Sequence, residues 1–130
     1  MYNKAKGIAV NSNVTSSMIW GSQWDATLRW MYNSGNAEKK KYTYDSTGKG
    51  NYSRQPIATG TKDAYAINNI YDMAGNVWEW TIEAVFTDNR VHRGSNFRDD
   101  GSHGPASYRY NDDPMGHYGE DCGFRVALYM

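Results

Sequence analysis

Tyr71-Asp72-Met73-Ala74-Gly75-Asn76-Val77-Trp78-Glu79-Trp80-Thr81 is a turn that runs straight into an alternating segment. From Asn76 onward the period is two, as a strand requires: Val77, Glu79 and Thr81 share one face, Asn76, Trp78 and Trp80 the other. Trp78 and Trp80 are assigned to the core. Downstream, Ala84-Val85-Phe86 and Asn89 to Gly94, joined by a Thr87-Asp88-Asn89 turn, read as a second strand, and Phe124 to Tyr129 as a third. Upstream, Trp24, Leu28 and Met31 recur on one helical face, with Ser22 as the N-cap and a stop near Asn33-Ser34-Gly35. Residues 36–60, rich in Lys, Ser, Thr, Gly and Tyr, read as a surface excursion with little regular structure. Residues 1–16 carry no clear period beyond an Asn11-Ser12-Asn13 turn. Short antiparallel strands, one early helix and long loops define an α+β domain of low regular content.

At 130 residues the chain is one domain, 1–130. Its opening, Met1-Tyr2-Asn3-Lys4, reads like the interior of a domain, and we expect it to be the C-terminal part of a longer protein. Formal net charge is zero, so there is no global basic field to hold nucleic acid or an anionic membrane. The charge is uneven, however. All seven Lys lie at or before Lys62, whereas between Ser95 and Asp121 two Arg oppose six carboxylates, a net charge of −4. That acidic stretch argues against a phosphate ligand. Cys122 is the sole cysteine, so no intrachain disulfide forms; it reads as a small packed residue, not a nucleophile, because no base is identifiable beside it. No apolar run is long enough to span a bilayer, and membrane insertion is not expected.

Residues 92–122 read as a displayed surface. Rigid aromatics interleaved with small polar residues have the composition of a paratope: area from the rings, adaptable hydrogen bonds from the rest. The candidate contact residues are Phe97, Arg98, Asp99, Asp100, His103, Tyr108, Tyr110, Asn111, Asp112, Asp113, His117, Tyr118, Glu120 and Asp121. For the rings, the competing reading is partial burial under a long loop. The interleaved carboxylates favour display, because burial would oblige each to find a partner. Asp99-Asp100 and Asp112-Asp113 have three readings: solvated charge, an acid–base pair, or oxygen ligands for calcium. Adjacent carboxylates rarely converge on one bond. His92, His103 and His117 are too scattered to make a metal site, and no catalytic residue is assigned.

The ordered series Tyr71 to Trp80, then Arg93-Gly94, then Gly123-Phe124-Arg125-Val126, with Trp20-Gly21-Ser22-Gln23-Trp24-Asp25 ahead of it, resembles the formylglycine-generating-enzyme family, a variant of the C-type lectin fold. The resemblance runs from about residue 17 to the end. It implies oxidative chemistry through paired cysteines, or through iron held by His and a carboxylate in related members. This sequence departs from both patterns: Phe97 to His103 holds no Cys, and no His precedes Asp63. The chain is more similar to a second branch, ligand-binding proteins diversified by retroelements, which share the ending Gly-Phe-Arg-Val-Ala-Leu-Tyr. Such diversification randomises adenines, chiefly in asparagine codons. Phe97, Arg98, Asp99, Asp100, His103, Gly104, Tyr108, Tyr110, Asn111, Asp112, Asp113, His117, Tyr118, Gly119 and Asp121 are all reachable that way; Met115 and Glu120 are not. The resemblance implies a non-catalytic module on a phage tail or bacterial surface, recognising a cell-surface protein or glycan. It implies no cofactor, save a structural calcium at Asp72, Gly75, Val77 and Glu79. The competing reading there is that Asp72 caps a turn and Glu79 pairs with Arg.

Overall fold

The computed structural model describes every residue except Val10, Gly35, His117 and Tyr118. Among the described residues the elements are α1 (Tyr2–Lys6), β1 (Thr15–Met18), α2 (Gly21–Asn33), α3 (Ala37–Tyr44), β2 (Ala66–Ile67), β3 (Ile70–Tyr71), β4 (Trp78–Ala84), β5 (Arg90–Arg93), β6 (Arg109–Asp112), β7 (Cys122–Phe124) and β8 (Val126–Tyr129). A four-stranded sheet runs β6-β5-β4-β7, and two-stranded sheets pair β1 with β8 and β2 with β3. The α+β expectation holds, with more regular structure than the sequence had indicated.

Helix α2 buries the face that its spacing predicts, Trp24, Leu28 and Met31. It begins two residues earlier than expected: Trp20, not Ser22, is the N-cap, and its N–H is satisfied by Gln23 Oε1 at 2.9 Å. The predicted stop lies close to the observed end at Asn33, with Ser34 as C-cap; Gly35 lies outside the described residues. The excursion from residue 36 contains a helix after all, α3. Its Asn36 cap accepts from the Lys39 N–H at 2.9 Å, but Tyr42 is its one buried residue, so it shows no apolar stripe. Residues 1–16 supply α1 and the first half of β1, which pairs with the last strand.

The strand limits follow backbone conformation. Gly75 and Asn76 both have positive φ, 70° and 63°, so β4 starts at Trp78 and not at Asn76. Gly94, at φ 81°, ends β5. A Cβ there would lie 2.6 Å from the Met73 carbonyl oxygen, which leaves room for glycine alone. The single closing strand expected from Phe124 to Tyr129 is two. β7 runs parallel to β4 and β8 antiparallel to β1, with Arg125 between them. Arg125 turns inward, its Nε and Nη2 donating to Glu79 Oε2 and Oε1 at 2.8 and 2.7 Å and Nη2 also to the Tyr71 carbonyl at 2.8 Å. A further strand, β6, lies in the stretch judged irregular. Arg-Tyr-Asn-Asp is an edge strand with no apolar alternation, recognisable only from its partner β5.

One core cluster gathers α2, Tyr42, Ile67, Met73 and Ala106; a second gathers Ala5, Met18 and Trp80. Burial pushes the Tyr42 and Tyr52 phenols far above the ordinary tyrosine value. Unfolded tyrosines ionise near pH 10 while these stay protonated, so their contribution is intact below about pH 10 and lost as pH rises further. Each should steepen the alkaline decline by up to about 1.4 kcal/mol per pH unit. Urea melts across that range should show a shallower decline for Tyr42→Phe.

Candidate ligand-binding site

The sheet has two occupied faces. On the α2 side, Arg93 reaches Asp25 through Nη2 and Arg125 holds Glu79. On the other side, cross-strand pairing aligns Trp80 with His92 and His92 with Tyr110. Trp78 lies on this side and meets His92 edge-on at 4.4 Å between centroids, with Tyr108 at 5.5 Å and Tyr110 at 6.4 Å. Trp78, Tyr108 and Tyr110, together with Asp99, His103 and Gly104, line a cleft of about 200 Å³. Trp78 is its largely buried floor, 8% exposed; Tyr108 and Tyr110 are its walls, 38% and 52% exposed.

The loop from Ser95 to Tyr108 is fastened to the scaffold largely through its main chain. The Phe97 N–H donates to the Asn76 carbonyl at 2.9 Å, the Phe97 carbonyl accepts from the Arg54 N–H at 3.0 Å, and the Gly101 carbonyl from the Ser46 N–H at 2.8 Å. The Gly104 carbonyl accepts from Tyr52 Oη at 2.8 Å and the Ala106 carbonyl from Trp24 Nε1 at 2.9 Å. The Ala106 N–H donates to Ser46 Oγ at 3.0 Å, the Ser107 N–H to the Thr43 carbonyl at 3.2 Å. Backbone is held from below while most side chains stand outward.

The candidate contact residues divide accordingly. Asp99, His103, Tyr108 and Tyr110 converge on the cleft. Asp100, next to Asp99 in sequence but not among the lining residues, accepts from the Ser102 and His103 N–H groups at 2.9 and 3.0 Å; hydrogen bonds from Ser102 and His103 hold its carboxyl well below the usual carboxylate range. Arg98 bridges to Glu120 at 3.0 Å and Asp121 at 3.5 Å, tying this loop to the next. Asn111 accepts from Asn89 Nδ2 at 3.0 Å. Asp112 continues the Tyr110 face of β6 opposite Arg90, and Asp113 accepts from the Met115 N–H at 2.8 Å. Phe97 requires a correction: it is 2% exposed, because its main chain is bonded on both sides to the scaffold and draws the ring inward. Gly104, grouped with the changing positions, is buried, and a Cβ there would lie 2.2 Å from Ser95 Oγ; it belongs to the fixed part. Trp78, assigned to the core, is buried as expected and also forms the floor of the cleft. His117 and Tyr118 lie outside the described residues.

The calcium set does not fit a cation. Both Glu79 oxygens accept from Arg125, so a guanidinium already supplies the positive charge there. Asp72 accepts from the Gly60 N–H at 3.2 Å. Among the described residues no three His, Cys, Asp or Glu are grouped to hold a metal. Burial, then the neighbouring Asp121 charge, pushes the Cys122 thiol up to about 11, which leaves it protonated and a poor nucleophile at neutral pH. No helix among the described residues is long and apolar enough to cross a membrane.

A small, loop-rich α+β domain with paired terminal strands and this motif order defines the C-type lectin fold of the formylglycine-generating-enzyme type. Residues 7–130 match the model of the sulfatase-modifying factor enzyme 1-like domain, and the chain belongs to that family. Among solved structures it is similar to Treponema denticola variable protein 1, with a TM-score of 0.57 and 22% identity over 88% of this chain and 47% of that one. It is also similar to CarF, with a TM-score of 0.55 and 20% identity over 88% of this chain and 46% of that one. At such identities the likeness shows the fold, and the chain spans about half the length of either structure. No curated protein matches it.

Proposed function

We propose that the domain is a non-catalytic, variable ligand-binding module, diversified by a retroelement, that recognises a cell-surface protein or glycan from a phage tail or bacterial surface. One observation carries this reading: contact side chains stand on a loop whose main chain is bonded to the scaffold. Such bonds do not depend on side-chain identity, so the surface can change while the fold persists. The fold likeness to a variable protein supports the same reading. An oxidative enzyme would need a reactive thiol or a metal cluster, and Cys122, held protonated, supplies neither.

Two measurements test it. Replacing the exposed Arg98, Asp99, Asp100, His103 and Tyr110 together by Ser should lower the melting temperature by no more than about 10 °C, since exposed positions contribute about 0.5 kcal/mol or less each. The same variant should lose binding of the labelled domain to whichever bacterial cells, in a panel, the parent binds. A variant that unfolds, or that binds cells as the parent does, sinks the proposal. In the genome, a near-copy of the codons for residues 92–122 beside a reverse transcriptase gene, differing only at adenines, is the expected companion.

A further inference from the structure

We infer that the Trp78–Tyr108–Tyr110 cleft takes a protruding basic side chain, Lys or Arg, of a protein partner; this rests on the binding-face reading above and narrows its ligand. Tyr108 and Tyr110 are tilted to Trp78 by 39° and 38° rather than coplanar with it, and the three rings converge on about 200 Å³, room for one long side chain. Aromatic faces attract cations through their quadrupoles, most strongly Trp. The cleft also holds a carboxylate: Asp99 keeps one oxygen engaged by Ser95 Oγ, which fixes its position at the wall and leaves its second oxygen for a ligand. Asp100 lies next to it in sequence, engaged by His103 at 2.9 Å; of the guanidinium groups nearby, Arg98 is offset by Glu120 and Asp121 and Arg54 is turned to the Arg98 carbonyl. The surrounding segment, Ser95 to Asp121, carries net charge −4 and so concentrates cations at the mouth. A pyranose is less well served. Its hydroxyls need several donors and acceptors around an open ring face, whereas the lining offers one carboxylate, one imidazole and two phenol hydroxyls, and its rings are tilted and not laid out as one flat face.

The test is an NMR titration of the 130-residue chain with Nα-acetyl-lysine amide and Nα-acetyl-arginine amide. Nα-acetyl-norleucine amide serves as the uncharged isostere and methyl glucoside as the neutral sugar. The expected result is movement of the Trp78 indole and the Tyr108 and Tyr110 ring resonances with the basic probes alone, reduced by added salt. Tyr110→Leu and Asp99→Asn, both at exposed positions, should each weaken binding about two- to thirtyfold. No movement with either basic probe overturns the inference, as does equal movement with norleucine amide or methyl glucoside. Movement with the sugar alone would leave the binding-face reading standing and remove only the cation.

Discussion

Trp24→Ala is expected to lower unfolding stability by about 3–5 kcal/mol. Trp24 is completely buried in the larger core cluster, and two guanidinium groups, Arg93 and Arg125, each lie 5.8 Å from its ring centre. The substitution therefore removes an apolar ring and leaves both cations without the face they rest on. It also removes the Nε1 donor to the Ala106 carbonyl, so the contact loop loses a brace from below. Trp24→Phe separates the contributions: it keeps most of the packing, deletes the donor, and should cost about 1–3 kcal/mol. Denaturant melts measure both. Hydrogen exchange should show faster opening of the loop amides, Ser107 among them, in either variant. A Trp24→Ala protein as stable as its parent would mean that α2 does not support the loop.

The second large effect is Glu79→Ala, about 3 kcal/mol or more, because it strands the largely buried Arg125 guanidinium with the Tyr71 carbonyl but without its carboxylate partner. Arg125 is where the closing segment divides into β7 and β8, so the loss should loosen the parallel pairing of β7 with β4. Removing both charges tells a different story. In Glu79→Leu with Arg125→Met the uncompensated charge is gone, and stability should recover most of the deficit. A double variant as damaged as the sum of the single ones would show that the pair is not coupled in this way.

Much of this architecture could be read from the chain. The spacing of Trp24, Leu28 and Met31 gave α2, and the alternation after Asn76 gave β4, because a buried face imposes a period. Where no apolar face is buried, the period is lost. Helix α3 is polar except at Tyr42, and β6 is an edge strand of Arg, Tyr, Asn and Asp, so neither was legible. The site was legible in composition but not in placement. Asp99, His103, Tyr108 and Tyr110 do line one cleft, whereas Phe97 looked like them and is core. Trp78 was placed on the same face as Trp80, but its role as floor depends on β6 lying beyond β5, a pairing between distant segments that local pattern does not encode.

The fastening of the 95–108 loop bears on how such a surface could be inherited. Amide and carbonyl groups are common to all residue types except proline, which lacks the N–H, so nearly every codon change at an outward position leaves the anchoring untouched. Selection for a new target then need not also be selection for folding competence. On the function proposed above, offspring sequences could then wander widely in what they recognise, while proline at the anchored amides and any side chain at Gly101 or Gly104 are exchanges the scaffold refuses.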